Sequence, residues 1–403
     1  MLGLLAAVPL LGTTAAYAAP KAPAAITVGC LYAKTGFLSF QSMQLHRGLA
    51  FWKNEVNSHG GVYVKTYGKR LPITFKCYND QSDPSLVTVM INKLIDDKVD
   101  VLVSDASSFL TAPAVPIAQA HKTLLVNPLG TSRKFFTPNN PYIVQTSDLV
   151  TRFWADSITK LLLQMKLKRV AIIYGTNDFD GPQAQEVNDI LKKHGVAPVY
   201  YSAVPTKTSN YTVILHRIAA THPEAVLEIG YDPNDVTFLK NLKSGGFHFP
   251  FVYILFPDLA PAEFKGMGND LKYIYCYVTA PTLKVSDVNI GLTTDQFVAQ
   301  YEKKAKATPD AFVTAGYVAG LVIQRALATA NNLSQLGLRH AMAGMSGKMK
   351  TLGGTFTITS EGAQTGIVSG VAQFLPTASG FKLKVVYPAK FATAKPVYPA
   401  PKS

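Results

Sequence analysis

Short apolar runs alternate along this chain with longer segments in which apolar residues recur every three or four positions. The run Ile26–Tyr32 is typical of a strand. Residues 41–57 are predicted to form a helix, since Leu45, Leu49 and Val56 fall on one face. The same reasoning predicts a strand over 71–78, a helix over Pro84–Asp96, a strand over 99–103, a helix over 110–121 and a strand over 123–127.

A second series of the same kind follows. It comprises helices over 153–165, 181–194, 211–220 and 232–243, and strands over 169–174, 196–204, 225–230 and 251–255. The strands are near-continuous apolar runs, which indicates parallel sheets that are covered on both faces. Strands that alternate with helices of this length predict an α/β fold with two doubly wound, Rossmann-like lobes.

The remainder of the chain adds a strand over 273–279, two helices within 294–330 that are divided near Pro309, and β-rich segments at 355–358 and 368–386. We expect strands that cross between the lobes, with residues 26–147 and 279–356 in lobe 1 and residues 148–278 and 357–395 in lobe 2. A cleft is then expected between the carboxyl ends of the two sheets, where open α/β sheets bind ligands.

The composition excludes several classes of protein. Hydrophobic residues make up 48% of the chain, too many for a disordered protein. The net charge is +14, but the basic residues are scattered without a basic helix or an aromatic-basic motif, so we expect no nucleic-acid partner. The phosphate-loop, dinucleotide, hydrolase-elbow and metal motifs are missing from the sequence. We therefore expect no enzyme, no cofactor and no metal site.

The first residues indicate export. An apolar run followed by Ala16-Tyr17-Ala18 is typical of a signal peptide over residues 1–19. No basic residue precedes Lys21, so we expect a truncated leader, as a start codon placed too late would give. No later stretch reaches 18 uninterrupted apolar residues, so we expect no membrane span.

The three cysteines leave their pairing open. Cys30 and Cys77 lie in two predicted strands that are candidates for neighbours, while Cys276 is far away. A bridge across adjacent parallel strands is expected to be strained, so buried thiols are favoured.

Small hydroxylated residues follow two of the predicted strands, at 105–108 and 127–132. At a helix start they cap the backbone, and they also leave N–H groups and hydroxyls that bind a carboxylate. Both interpretations stay open for Ser107 and Ser108. Two such loops on adjacent strand ends favour a shared ligand site.

In order along the chain, several short stretches resemble the periplasmic substrate-binding proteins of the branched-chain amino acid ABC transporters, the Leu/Ile/Val-binding type. These stretches are Thr35-Gly36, Arg47 to Ala50 with Asn57 and Gly60-Gly61, Tyr78 to Pro84, Ser107-Ser108 with Ala112 to Pro116, Asn127 to Thr131, and Asn177-Asp178-Phe179. The resemblance runs from about residue 26 to about residue 386. It implies a Venus-flytrap protein of two lobes that close on a small ligand and deliver it to membrane permeases.

The resemblance also implies site residues. Ser107 or Ser108 and Thr131, with the backbone of Leu129 and Gly130, would hold a ligand carboxylate. The aromatic positions are Phe37, Phe40, Phe179, Tyr231 and Phe256, and Asp258 matches an acid that meets a ligand ammonium. Each has an alternative: Asp258 as a helix cap, Phe37, Phe179 and Phe256 as core residues, and Tyr231 as cover for the sheet edge.

The chain departs from the family pattern at Phe179, where a tyrosine is usual, and at Asp180, which replaces a glycine. A ring face without a hydroxyl suits a cation or an apolar body. We expect a monomeric, periplasmic solute-binding component of an ABC importer, with the permease subunits as partners and a small carboxylate-bearing ligand such as an amino acid. The alternative is a binder of a larger apolar or aromatic compound.

Overall fold

The computed structural model describes residues 21–378 and 380–401. The predicted signal peptide over residues 1–19 lies outside the described residues. Two lobes, each built on one sheet, make up the fold.

Lobe 1 is built on a five-stranded parallel sheet with strand order β4-β1-β5-β6-β7. Its elements in the first third of the chain are β1 (Ile26–Tyr32), α1 (Ser39–Ser58), β2 (Val62–Val64), β3 (Lys69–Leu71), β4 (Ile73–Asn79), α2 (Pro84–Asp96), β5 (Val101–Val103), α3 (Ser107–Thr111), α4 (Ala114–Ala120), β6 (Leu125–Asn127) and β7 (Ile143–Gln145).

Lobe 2 is built on a seven-stranded sheet with order β16-β15-β12-β11-β10-β8-β9, in which β12, β15 and β16 pair antiparallel. Its elements are α5 (Thr151–Gln164), β8 (Val170–Gly175), α6 (Asp180–Lys193), β9 (Tyr200–Val204), α7 (Thr212–Ala220), β10 (Ala225–Ile229), α8 (Asp232–Ser244), β11 (Val252–Ile254), β12 (Tyr275–Val278), β15 (Gly370–Thr377) and β16 (Gly380–Tyr387).

The segment between β12 and β15 returns to lobe 1. It forms α9 (Thr294–Ala305), α10 (Ala311–Thr329), α11 (Gln335–Gly344), β13 (Lys350–Thr351) and β14 (Gly354–Thr355). Helix α10 lies against α1, where Gly48 and Gly316 allow the two backbones to approach closely. Among the described residues, α10 is the one helix long and apolar enough to cross a membrane, but 83% of its apolar stretch is buried within the protein, which is typical of a core helix.

Three crossings connect the lobes: after β7, after β12 and before β15. Hydrogen bonds connect the crossing segments to one another. The Gln364 side-chain amide donates to the Thr146 carbonyl oxygen at 3.1 Å, and the Thr279 hydroxyl donates to the Val368 carbonyl oxygen at 2.8 Å.

Strand order explains where a ligand site belongs. In both lobes the parallel strands follow the order second-first-third-fourth-fifth along the chain, so the direction of winding reverses between β1 and β5 in lobe 1 and between β8 and β10 in lobe 2. Loops that leave the carboxyl ends of these strands diverge and leave a crevice, which is the usual ligand site of such sheets.

The predicted elements are largely confirmed, and the differences have local causes. The predicted helix over 110–121 is two helices, because Pro113 lacks the N–H group that a continuous helix needs there. The strand predicted over 71–78 is interrupted at Pro72 for the same reason. The short strands β2 and β7 and the helix α11 were not predicted from the pattern.

The expectation of buried thiols is wrong for two of the three cysteines. Cys30 and Cys77 are direct register partners on β1 and β4, and they form a disulfide. Their Cα atoms are 4.5 Å apart, within the range that a disulfide spans, so this pair of parallel strands brings the two residues close enough to bond. Cys276 is a free, buried thiol, as expected.

Candidate functional site

Four strand ends at the two points of reversal supply the candidate site. In lobe 1 the loop after β1 carries Phe37, and α3 begins with Ser107 directly after β5. In lobe 2 the loop after β8 carries Phe179, and Tyr231 precedes α8 directly after β10. The two sheets direct these ends toward the interface between the lobes, which we call the seam. Several of the predicted residues from both lobes meet there.

Ser108 and Thr131 form a hydroxyl-bearing corner in lobe 1. Both side chains are buried, and their hydroxyl oxygens are 3.4 Å apart. The Ser108 oxygen accepts hydrogen bonds from the backbone N–H groups of Thr131 at 3.0 Å and Ser132 at 3.1 Å. The N–H groups that converge on one point are therefore those of Thr131 and Ser132, not those of Leu129 and Gly130 that the resemblance implies, and in this structure Ser108 occupies that point.

The other predicted anion-binding residues hold the corner in shape. The Gly130 N–H donates to the side-chain oxygen of Asn127 at 2.6 Å, so it is already used. Leu129 is buried and lines a cavity of about 20 Å³ at the seam. Ser107 adopts a φ of 77°, and its hydroxyl accepts from the Leu110 N–H at 3.2 Å. The capping interpretation thus describes Ser107, whose left-handed backbone is of the kind that often marks a functional loop.

Aromatic rings from both lobes form the opposite side of the site. In lobe 2, the Phe179 and Tyr231 rings are stacked with centroids 5.3 Å apart, and the Phe256 ring lies 6.2 Å from each. From lobe 1, the Phe37 ring meets Tyr231 edge-on at 6.1 Å. We call Phe37, Phe179, Tyr231 and Phe256 the ring cluster.

Two contacts extend the ring cluster into lobe 1. The backbone N–H of Phe109, on α3 beside Ser108, donates to the Tyr231 hydroxyl oxygen at 3.3 Å. Phe312, at the start of α10, lies 6.2 Å from Phe256 and 6.4 Å from Phe40. The predicted Phe40 therefore reaches the ring cluster through Phe312 rather than directly, and Phe312 was missed because it lies in an apolar helix without a loop signal.

Asp258 is not in contact with the hydroxyl corner. Its carboxylate accepts a hydrogen bond from the Thr282 hydroxyl at 2.8 Å. It lines a separate pocket of about 400 Å³ together with Asp310. Burial raises the pKa of Asp258 to about 7, and the nearby Asp310 carboxyl adds to this shift.

Polar contacts between the lobes were not predicted. The Gln41 amide on α1 donates to the Asp232 carboxyl at 2.5 Å, and both side chains are buried. Nearer to solvent, Lys134 and Asp178 form an ion pair at 2.6 Å. With these contacts across the seam, the lobes are in a closed arrangement. Acidic residues are common in the first turn of a helix because they interact favourably with the helix dipole. The sequence therefore did not mark Asp232 as a contact between the lobes.

Trp154 on α5 is a further missed neighbour of the site. Its ring stacks on Tyr277 at 4.1 Å, meets Phe179 edge-on at 4.9 Å and lies 6.5 Å from Phe256. The second tryptophan, Trp52, is buried in lobe 1 against α10, where its indole N–H donates to Gln324. Fluorescence from Trp154 therefore reports on the ring cluster.

Comparison with known proteins identifies the family. Residues 25–373 match the model of the periplasmic binding protein family. The Leu/Ile/Val/Thr-binding protein of Salmonella typhimurium is 23% identical over 198 residues, which are 49% of this chain and 53% of that protein. The aligned stretch thus spans about half the length of this curated relative.

Solved structures share the fold at low sequence identity. A leucine binding protein from Thermotoga maritima superposes with a TM-score of 0.77 at 15% identity, covering 91% of this chain and 99% of the other. A solute binding protein of an ABC transporter from R. palustris, solved in complex with benzoate, superposes with a TM-score of 0.73 at 18% identity, covering 89% and 95%.

Proposed function

The chain belongs to the periplasmic binding protein family, and from this we propose that it is the exported solute-binding component of an ABC importer. The ligand that we propose is a small organic acid with an apolar or aromatic body, held at the seam by lobe closure. The observation that carries the proposal is the meeting of the hydroxyl corner in lobe 1 with the ring cluster, which is mostly in lobe 2.

The hydroxyl corner suits a carboxylate. The N–H groups of Thr131 and Ser132 converge on the Ser108 oxygen, and a carboxylate oxygen could take its place as their acceptor. The Ser108 hydroxyl would then turn and donate to the ligand, because a hydroxyl group both donates and accepts. Hydrogen bonds to a charged group contribute about 1.5–3 kcal/mol each, more than neutral ones.

The ring cluster suits the body of the ligand. In the closed form these rings are buried against one another, 5.3–6.2 Å apart. Opening of the lobes would free ring faces, which pack well against another ring or a branched apolar chain. The R. palustris neighbour that binds benzoate supports an aromatic acid, and the Thermotoga maritima leucine binding protein supports an amino acid. The position of Asp258, which is bonded to Thr282 in a separate pocket, favours the acid without an ammonium group.

A larger apolar or aromatic compound is the second candidate. Its support is the extension of the ring cluster by Phe40, Phe312 and Trp154, which gives more aromatic surface than a small aliphatic side chain covers. The two candidates differ in whether a carboxylate is needed for binding.

A ligand panel tests both candidates. Protein that has been unfolded and refolded to remove carried ligand is titrated with leucine, isoleucine, phenylalanine, benzoate and benzamide, and the melting temperature and Trp154 emission are followed. Benzoate is expected to bind and benzamide to bind at least tenfold more weakly. Equal binding of the two favours the second candidate, and no response to any compound contradicts the proposal.

Variants locate the site. Thr131→Ala and Ser108→Ala are expected to abolish the benzoate response, whereas Thr329→Ala, at the far end of α10, is expected to leave it unchanged. An unchanged response in Thr131→Ala would show that the anion site is misplaced.

The remaining parts of the proposal concern the whole protein. We propose that it acts as a monomer in the periplasm and that permease subunits recognise its closed form. We also propose that it does not convert its ligand chemically. The lobe assignment of 26–147 with 279–356 and of 148–278 with 357–395 also stays a proposal, supported by the sheet to which each strand belongs. Gel filtration and recovery of unchanged ligand after incubation test the oligomeric state and the lack of turnover.

A further inference from the structure

A further pocket, separate from the seam and from the pocket of Asp258, lies at the far end of α10. The helix starts at the seam with Ala311 and Phe312 and ends at Thr329, roughly 28 Å away at 1.5 Å per residue. The pocket lies between this end of α10 and helix α11, and its volume is about 420 Å³. That volume is within the range of small-molecule sites.

Three basic side chains line this pocket: Arg325, His340 and Lys348. The lining contains no aspartate or glutamate among the described residues, and none of the three basic side chains forms an ion pair in that part of the chain. Lys348 donates to the Gly344 carbonyl oxygen at 3.2 Å, which accounts for only one of its donors. The ammonium group of Lys65 lies close by, since it donates to Asn331 at the rim.

The floor of the pocket differs from its rim. Met345 and Met349 are buried and line the pocket from below, with Ala341 beside them. Hydroxyl and amide groups at the rim, from Thr329, Asn331 and Asn332, add neutral hydrogen-bonding groups. An apolar floor with a few converging polar groups is the usual composition of a ligand site.

We propose that this pocket binds a phosphate ester, with its phosphate between Arg325 and Lys348 and its apolar part over Met345 and Met349. Arg325 and Lys348 without a carboxylate beside them fit an anionic phosphate group, and the planar guanidinium of Arg325 matches two phosphate oxygens at once. The phosphate ester comes either from a soluble metabolite or from the headgroup of an anionic lipid. Both sources present anionic phosphate oxygens and an apolar part to the pocket.

The test uses the full chain and two probes. Phenyl phosphate is titrated by calorimetry and by ³¹P NMR, and cosedimentation is measured with phosphatidylglycerol vesicles against phosphatidylcholine vesicles. Saturable binding of one phenyl phosphate per chain supports a soluble source. Binding to phosphatidylglycerol vesicles alone supports the lipid source, provided that it depends on the pocket residues.

Paired variants make the test specific. R325A/K348A is expected to weaken phosphate binding at least tenfold. The control K192A/K193A removes the same charge from exposed positions at the end of α6 and is expected to leave binding unchanged. Ala341→Phe, which adds a ring to a side chain that lines the pocket, is expected to reduce phenyl phosphate binding without a change of charge.

Three results would overturn the proposal: neither probe binds at millimolar concentration, binding is equal in R325A/K348A and the parent, or the control loses as much binding as the pocket variant. Thr131→Ala should keep phosphate binding. The experiment therefore separates a failure of this pocket from a failure of the ligand site at the seam.

Discussion

The side-chain amide of Gln41 in lobe 1 donates a hydrogen bond across the seam to the carboxyl group of Asp232 in lobe 2, at 2.5 Å. Burial, with a smaller effect from the charge of Glu263, raises the pKa of Asp232 from 3.8 to about 7. Opening of the lobes moves Gln41 away from Asp232 and exposes the carboxyl group of Asp232 to water. The protonation of Asp232 is therefore linked to closure.

This linkage predicts a pH dependence of ligand affinity. Because the closed form holds a proton on Asp232 up to about pH 7 and the open form only up to about pH 4, closure takes up a proton between these values. The contribution of Asp232 to affinity is thus largest below about pH 4 and falls as the pH rises to 7, by at most about tenfold per pH unit. Above pH 7 this effect is constant.

Asp232→Asn isolates the effect of this one carboxyl group. Asparagine keeps an acceptor oxygen for Gln41 and does not titrate. The slope of the logarithm of affinity against pH between pH 4 and 7 should therefore become less negative by up to one, which corresponds to one proton. Asp258 and Asp310, whose pKa values are raised to about 7 and about 6, remain in both proteins and cancel in the comparison. Parallel pH profiles of parent and variant would contradict the linkage.

Tyr231→Phe is expected to weaken ligand binding by about fivefold. The substitution keeps the ring and its stacking on Phe179 but removes the hydroxyl oxygen that accepts from the Phe109 N–H in lobe 1. One such hydrogen bond contributes about 1 kcal/mol. Tyr275→Phe is the control, because its hydroxyl donates to the carbonyl oxygen of Val397, whose N–H group is bonded to Gln373 of lobe 2, so this contact does not cross the seam. Equal losses in the two variants would point to a general loss of stability instead.

The strand ends of the site were accessible from the sequence, whereas the contacts between the lobes were not. Ser108 and Thr131 follow neighbouring parallel strands, β5 and β6, and strand order alone brings them together. Gln41 and Asp232 are 191 residues apart, and no local pattern fixes how one lobe faces the other. Asp258 was assigned from resemblance alone, and the path of its loop turns it toward Thr282.

Gly316→Ala is expected to lower the free energy of unfolding by about 1–3 kcal/mol. A Cβ atom at Gly316 would overlap the carbonyl oxygen of Leu45 on α1, so the two helices would have to separate. Gly344→Ala is the matched control, since Gly344 also lies in a helix but a Cβ atom there meets open space. The control should be neutral or more stable by up to about 1 kcal/mol. Urea unfolding of both variants measures the difference, and equal stabilities would contradict the close packing of α1 and α10.

Counting reactive thiols tests the cysteine assignment. Cys276 is buried, and burial raises the pKa of its thiol strongly, so the native protein should show no thiol that reacts with Ellman's reagent. Denaturant without a reducing agent should expose one thiol, since Cys30 and Cys77 stay paired, and reduction should expose all three. Cys276→Ser should show none in denaturant alone. Replacing both Cys30 and Cys77 by serine should lower the free energy of unfolding by about 2–4 kcal/mol, because the bridge restricts the unfolded chain. Three reactive thiols in denaturant without reduction would mean that the two strands carry free cysteines.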